Sequence, residues 1–173
     1  MPSPKLPLAL LCLVCAFTSA KADDWNEKAA QIFAKTCGTR PDSGHDIETV
    51  VDQLGFKGGA VGGVSGVLGS YAWKFDDGTN KGSLDLWNPG FGPNNRHCSL
   101  IIGNLEPERF VMLLEADLSL QNVPNKIVIQ SPATYSKIWQ PDGTKTKPVL
   151  NFLSNRHGNS WSGMLSLDYP GKN

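Results

Sequence analysis

The sequence predicts an α+β fold: two N-terminal helices, then a largely antiparallel sheet of about seven strands with one inserted helix packed on it. Three observations support this prediction. Apolar residues recur at helical spacing between residues 25 and 54, and again between residues 105 and 120. From residue 71 onward, the other segments alternate apolar and polar side chains, as strands with one buried face do. Clusters of Gly, Pro, Asn and Asp separate these segments, and short turns of this kind join antiparallel neighbours.

The first 22 residues have the composition of a cleaved signal peptide. A single lysine precedes an apolar run over residues 6–17, and Ala20-Lys21-Ala22 supplies the small-x-small pattern of a cleavage site. The run is shorter than the roughly 20 apolar residues that a membrane-spanning helix needs. We therefore expect cleavage after Ala22, which leaves a single α+β domain over residues 23–173 in a secreted or periplasmic location.

The cysteines predict one disulfide bond. Of the four in the chain, Cys12 and Cys15 lie in the predicted leader, so Cys37 and Cys98 remain. In an oxidising compartment such a pair usually bonds, with two buried free thiols as the alternative. We expect no metal site, because neither cysteine has a second Cys or His at ligand spacing. A lipoprotein leader is disfavoured, since Cys12 and Cys15 each follow a large residue where lipid-modifying processing requires a small one.

The charge balance gives no sign of a nucleic-acid or anionic-membrane partner. The chain has 16 basic and 16 acidic residues, and loss of the two leader lysines leaves a small acidic excess. The longest basic cluster, Lys145-Thr146-Lys147, has the composition of a solvated hairpin edge. We expect no nucleic-acid binding and no membrane span after the leader.

Two short helices are predicted before the sheet. Asp24 can cap the first, which we expect to end near Cys37-Gly38 with Gly38 as a left-handed stop. The segment Ser43-Gly44-His45-Asp46 matches a capping box and starts the second helix. Residues 55–69 are rich in glycine and nearly free of charge, which indicates a connector; a mobile binding lid is the alternative. Their glycine spacing does not match a phosphate-binding loop.

The remaining elements follow from alternation and turn residues. The inserted helix begins after Asn104, which we expect to be its N-cap, with Pro107 in the first turn. Strands are predicted over residues 71–75 and 83–87, around Cys98, and over residues 126–130, 134–140, 148–153 and 160–169.

The loop that leads into the strand of Cys98 supplies the candidate binding surface. Two aromatic residues border a run of Asn, Gly and Pro that ends in Arg96 and His97. Aromatic rings beside amide and guanidinium donors are typical of protein hot spots and of sugar-stacking sites. The candidate binding residues are Trp87, Asn88, Phe91, Asn95, Arg96 and His97.

No set of residues forms an enzyme signature. His45 has the position of a helix-capping residue and His157 that of a hairpin tip, while His97 adjoins Cys98, which cannot act as a nucleophile once it is oxidised. The Asp76-Asp77 pair lacks the ligand ladder of a calcium loop. We therefore expect no catalytic residues, cofactor or metal.

The leading hypothesis is a small secreted or periplasmic binding protein without catalytic activity. It would recognise another protein or a cell-envelope component, in an inhibitor-like role or otherwise. One alternative is a cell-envelope hydrolase acting on peptidoglycan or polysaccharide, with His97 or His157 as its base. The other is a structural envelope protein that oligomerises through a sheet edge.

Overall fold

The part of the chain that the structure describes has an α+β fold, with three α-helices and one eight-stranded antiparallel sheet. The computed structural model describes residues 24–61, 70–87, 95–141 and 148–170. The predicted signal peptide, the later part of the glycine-rich stretch (62–69) and the basic cluster at 145–147 lie outside the described residues. The helices are α1 (Trp25–Lys35), α2 (Glu48–Gln53) and α3 (Pro107–Asp117). The strands are β1 (Lys57–Val61), β2 (Ser70–Asp76), β3 (Lys81–Trp87), β4 (Asn95–Gly103), β5 (Asn125–Gln130), β6 (Thr134–Trp139), β7 (Val149–His157) and β8 (Ser160–Pro170).

The sheet consists of two four-strand meanders joined at its centre. Its strand order is β1-β2-β3-β4-β8-β7-β6-β5, so the last strand of each meander pairs with the last strand of the other. The central pair, β4 with β8, runs in register from Asn95↔Pro170 to Gly103↔Ser162. Helices α1 and α2 precede the first meander and α3 precedes the second. The two halves therefore repeat one topology, and β4 and β8 have strand neighbours on both sides.

The prediction of about seven strands was wrong because the glycine-rich stretch contributes an eighth. Its first part forms β1, which pairs with β2 at the edge of the sheet. Glycine at position 58 lets the backbone of β1 lie close to that of β2, because a Cβ atom on Gly58 would lie 2.2 Å from the carbonyl oxygen of Ala72. With glycine at two of its five positions, β1 shows no apolar alternation, so its sequence reads as a connector.

The first helix begins as predicted and ends differently. The Asp24 side chain accepts a hydrogen bond from the Asn26 amide at 3.1 Å, which confirms the cap. The left-handed residue is Arg40 (φ 54°), whereas Gly38 lies in a short 3-10 turn, so the predicted stop at Gly38 was wrong. A Cβ atom on Gly38 would lie 2.7 Å from Cδ2 of Leu118, at the end of a side chain that would have to move to admit it.

The other predicted caps have mixed outcomes. The capping box between Ser43 and Asp46 is present, with the Ser43 amide donating to the Asp46 carboxylate at 2.8 Å. It caps a 3-10 turn that leads into α2. Asn104 was wrongly predicted as the N-cap of α3, because Glu106 occupies that position. Asn104 has a left-handed backbone (φ 57°) and donates to the Thr79 carbonyl at 2.7 Å, so it shapes the turn before the helix.

The predicted disulfide bond joins Cys37 to Cys98 and lies in the core. It connects the turn after α1 to β4, with the two Cα atoms 5.4 Å apart. None of the helices in the described part of the chain has the length and hydropathy that crossing a bilayer requires. Both observations are compatible with a secreted or periplasmic location.

Side chains from the helices and one face of the sheet form the core. The Phe110 ring of α3 lies 5.1 Å from the Phe152 ring of β7, measured between centroids. Further along α3, the Glu115 carboxylate accepts hydrogen bonds from Trp139 Nε1 and Lys137 Nζ, both at 2.7 Å. Helix α1 packs against α3. These contacts place α3 on the sheet as predicted.

Candidate functional site

Strand alternation leaves the sheet with two chemically different faces. One face contains Leu84, Cys98 and Leu165 and forms the core. We call the opposite one the outer face. At the centre of the sheet it carries Asp85, Trp87, His97, Ser99, Ile101, Met164, Ser166 and Asp168.

Three side chains at one end of the outer face form a contact cluster. Trp87, His97 and Asp168 lie on neighbouring strands, and the register places them side by side. The ring centroids of Trp87 and His97 are 5.0 Å apart. His97 Nδ1 lies 2.7 Å from the Asp168 carboxylate, which fixes the orientation of the imidazole. Trp87 is 38% exposed, so this cluster presents an aromatic surface beside a carboxylate.

Asp85 adds a second carboxyl group to the same region. It pairs with Ser99 across β3 and β4 and lies on the same face as His97. Burial raises the pKa of Asp85, while attraction to His97 and Lys74 opposes that increase. The Trp87 end of the outer face therefore combines an aromatic ring with acidic groups and suits a partner that carries a cation.

Arg96 does not belong to this cluster. Its Nε donates to the Asp42 carbonyl at 3.0 Å, which ties β4 to the segment before α2. Neighbouring residues of a strand point to opposite faces, so Arg96 shares the core face with Cys98 while His97 points outward. Of the six candidate binding residues, the structure brings Trp87 and His97 together. Asn88, Phe91 and the side chain of Asn95 lie outside the described residues.

An apolar row crosses the outer face, and the sequence reading did not find it. Ile101, Met164, Leu153 and Ile129 are each between 37% and 45% exposed. The register connects them from β4 across β8 and β7, then through Ser136 of β6 to β5. With strands spaced about 4.8 Å apart, a row over five strands extends about 19 Å. We call these four residues the apolar row.

The remaining histidines lie away from this cluster. His45 Nδ1 is 3.3 Å from the Glu48 carboxylate, and its ring meets Tyr71 edge-on. His157 is exposed at the end of β7, where it pairs with Ser160. Of the two proposed bases, only His97 has a carboxylate that orients its ring among the described residues.

No protein-family model, curated protein or solved structure matches this chain. Among the described residues, no group of three or more His, Cys, Asp or Glu side chains is arranged to hold a metal ion.

A concave site, the α3 cleft, lies on the other side of the sheet. It has a volume of about 670 Å³ between the start of α3 and the β5–β6 hairpin. Two of its polar side chains are hydrogen-bonded to each other, since Gln130 Nε2 donates to the Glu108 carboxylate at 2.8 Å. Its aromatic members come from distant strands, so no local sequence pattern groups them. Six of its lining residues are Glu106, Glu108, Gln130, Ser131, Tyr135 and Trp161.

The electrostatics of the α3 cleft are acidic. Burial raises the pKa of Tyr135, and the nearby charges of Glu108 and Glu115 raise it further, so its hydroxyl stays protonated. Arg109 pairs with Asp24 at the edge of the cleft. Burial alone would raise the pKa of Asp24, but the Arg109 charge and the capping amides outweigh it and lower that pKa. The Arg109 charge is thereby offset, and the carboxylates of the cleft dominate.

Proposed function

We propose that the protein is a secreted or periplasmic binding protein that recognises a protein partner through its outer face. The observation that carries this proposal is the apolar row, because its four exposed side chains lie on one face of a sheet whose other face is buried. Contiguous exposed apolar surface on a soluble protein often marks an interaction site. The partner we infer has an apolar patch flanked by Lys or Arg.

The chemistry at the Trp87 end of the outer face, four residues along β4 from Ile101, supports the same assignment. Trp87 lies on the same face as the acidic groups of Asp85 and Asp168, and tryptophan is enriched among residues that dominate binding energy. A basic group of the partner placed there would meet two carboxyl groups, while its apolar patch covers Ile101 and Met164. Such charges chiefly set the rate of association and the orientation of the complex.

Charge introduced into the apolar row tests this proposal. Three versions of the mature protein, the wild type, Met164→Asp and Trp87→Ala, are each cross-linked in the native envelope or secreted fraction. Met112→Asp is the matched control, because Met112 is 62% exposed on α3. Exposed substitutions of this kind change folding stability by about 0.5 kcal/mol or less, which thermal unfolding verifies.

We expect the wild type and Met112→Asp to capture the same partner, with cross-links on β4 and β8. Met164→Asp should no longer capture this partner, and Trp87→Ala should capture it more weakly than the wild type does. Equal capture by all four proteins would refute the proposal. Cross-links to a second copy, together with a size that rises with concentration, would refute it in favour of the oligomerising role.

The α3 cleft supports a second candidate, polysaccharide binding or hydrolysis. Trp161 offers a ring for stacking on a sugar, and Glu106, Glu108 and Gln130 offer hydrogen-bonding groups. Soluble peptidoglycan fragments are the probe, titrated against wild type, Trp161→Ala and Trp87→Ala. Binding or turnover that Trp161→Ala removes and Trp87→Ala preserves would favour this candidate. If the wild type neither binds nor cleaves the fragments, they are excluded as ligands of the α3 cleft.

A further inference from the structure

An apolar cavity lies at the opposite end of the core from the α3 cleft. It has a volume of about 140 Å³ and opens to solvent between the end of α1, the end of α3 and the core side of β6 to β8. We call it the end cavity. Six of its lining residues are Phe33, Arg40, Leu118, Val123, Trp139 and Leu150.

The wall of the end cavity is apolar. Phe33 and Leu150 are core residues with almost no exposure, and Leu118 and Val123 are half-buried beside them. Trp139 contributes its ring surface, since its Nε1 already donates to the Glu115 carboxylate at 2.7 Å. The wall therefore favours an apolar group.

Arg40 is the charged residue in the lining. Its backbone is left-handed (φ 54°, ψ 61°), an uncommon conformation for a residue with a long side chain. The backbone is held in place, because the Arg40 amide donates to the carbonyl of Cys37, which is bonded to Cys98. Within the four described ranges, the Arg40 guanidinium has no hydrogen bond or ion pair. A positive charge is thus available beside an apolar cavity.

We infer that the end cavity binds a small monocarboxylate with an apolar body, whose carboxylate pairs with Arg40. The size of the body follows from the volume, because an apolar cavity of about 150 Å³ accommodates one benzene ring. The planar fork of a guanidinium matches a carboxylate in geometry and charge. An aromatic acid such as phenylacetate combines the two features. This site is separate from the outer face and does not depend on the function proposed for that face.

Calorimetric titration of the mature, disulfide-bonded protein tests this inference. Phenylacetate is the probe and phenylacetamide its uncharged analogue. Arg40→Gln removes the charge, and Val123→Phe fills part of the cavity from its half-buried rim. Arg156→Gln is the matched control, since Arg156 is exposed on β7 and its Nε donates to the Gly158 carbonyl.

We expect phenylacetate to bind the wild type and Arg156→Gln equally and Arg40→Gln about tenfold more weakly, the effect of one charged hydrogen-bonded contact. Phenylacetamide should not distinguish wild type from Arg40→Gln, and Val123→Phe should bind neither compound. Failure of phenylacetate to bind the wild type would overturn the inference. An unchanged affinity in Arg40→Gln, or undiminished binding by Val123→Phe, would overturn it as well.

Discussion

Replacing Cys37 and Cys98 together by alanine should remove a large part of the folding free energy. The bond joins residues 61 apart in sequence and fixes the turn after α1 to the central strand β4. In the loop-entropy description, a cross-link over that separation lowers the entropy of the unfolded chain by an amount worth about 4 kcal/mol. Domains of this size have a net stability of about 5–15 kcal/mol, so the loss is severe.

Urea unfolding followed by circular dichroism measures the effect in three samples. Oxidised and reduced wild type differ only in the cross-link, so their difference gives its contribution. Reduced wild type and the double alanine variant differ in two fully buried sulfur atoms, so their difference gives the packing loss. A loss of 4 kcal/mol lowers the melting temperature by about 8–16 °C in a domain of this length.

Two results would refute this reasoning. One is a difference below about 1 kcal/mol between the oxidised and reduced wild type, which would mean that the bond does not limit the unfolded chain as the loop-entropy description requires. The other is titration of two free thiols in the protein isolated from its native compartment. The second result would also remove the support that the disulfide gives to a secreted or periplasmic location.

Two further predictions concern the core and the sheet edge. Burial raises the pKa of Tyr169, and the Asp42 charge raises it further. The folded protein therefore keeps a proton that the unfolded chain releases above about pH 10. The free energy of unfolding should be unaffected below that pH and should fall above it. Because burial also raises the pKa of Tyr135, unfolding measured from pH 8 to pH 11 should show a decline in both proteins that is smaller in Tyr169→Phe than in the wild type, and equal declines would contradict the assignment to Tyr169. At the edge, Gly58→Ala places a Cβ atom 2.2 Å from the Ala72 carbonyl, whereas Gly59→Ala meets open space at a similarly positive φ. Gly58→Ala should therefore destabilise the protein by about 1–3 kcal/mol more than Gly59→Ala does, and it should expose the β1 amides to hydrogen exchange. Equal destabilisation by the two variants would contradict the clash at Gly58.

Sequence reasoning predicted the parts of the fold that local chemistry determines. The Asp24 cap and the capping box from Ser43 to Asp46 are each decided within four residues, and both are present. The disulfide followed from cysteine arithmetic and the expected compartment. Gly38 was given the left-handed position that Arg40 takes. Asn104 was given the wrong role because a contact distant in sequence, with the Thr79 carbonyl, decides it.

The candidate site was less predictable because it is assembled across strands. Trp87 and His97 could be proposed from one stretch of sequence, but Asp168, which orients His97, lies 71 residues further on. Arg96 was grouped with His97 by adjacency, although strand alternation directs the two side chains to opposite faces. The apolar row depends on the register of five strands, which the sequence does not specify.

Strand β4 connects the stability of the protein to its proposed binding surface. Its core face carries Cys98, bonded to the turn after α1, and its outer face carries His97 and Ile101. Because β4 pairs with β3 and β8 along most of its length, these outer side chains project from backbone that is hydrogen-bonded on both sides. Binding through these side chains requires little ordering of the chain, so the contact energy is reduced by the loss of rigid-body freedom and not by an added cost of ordering. The same side chains on a mobile loop would pay that ordering cost as well and would bind more weakly.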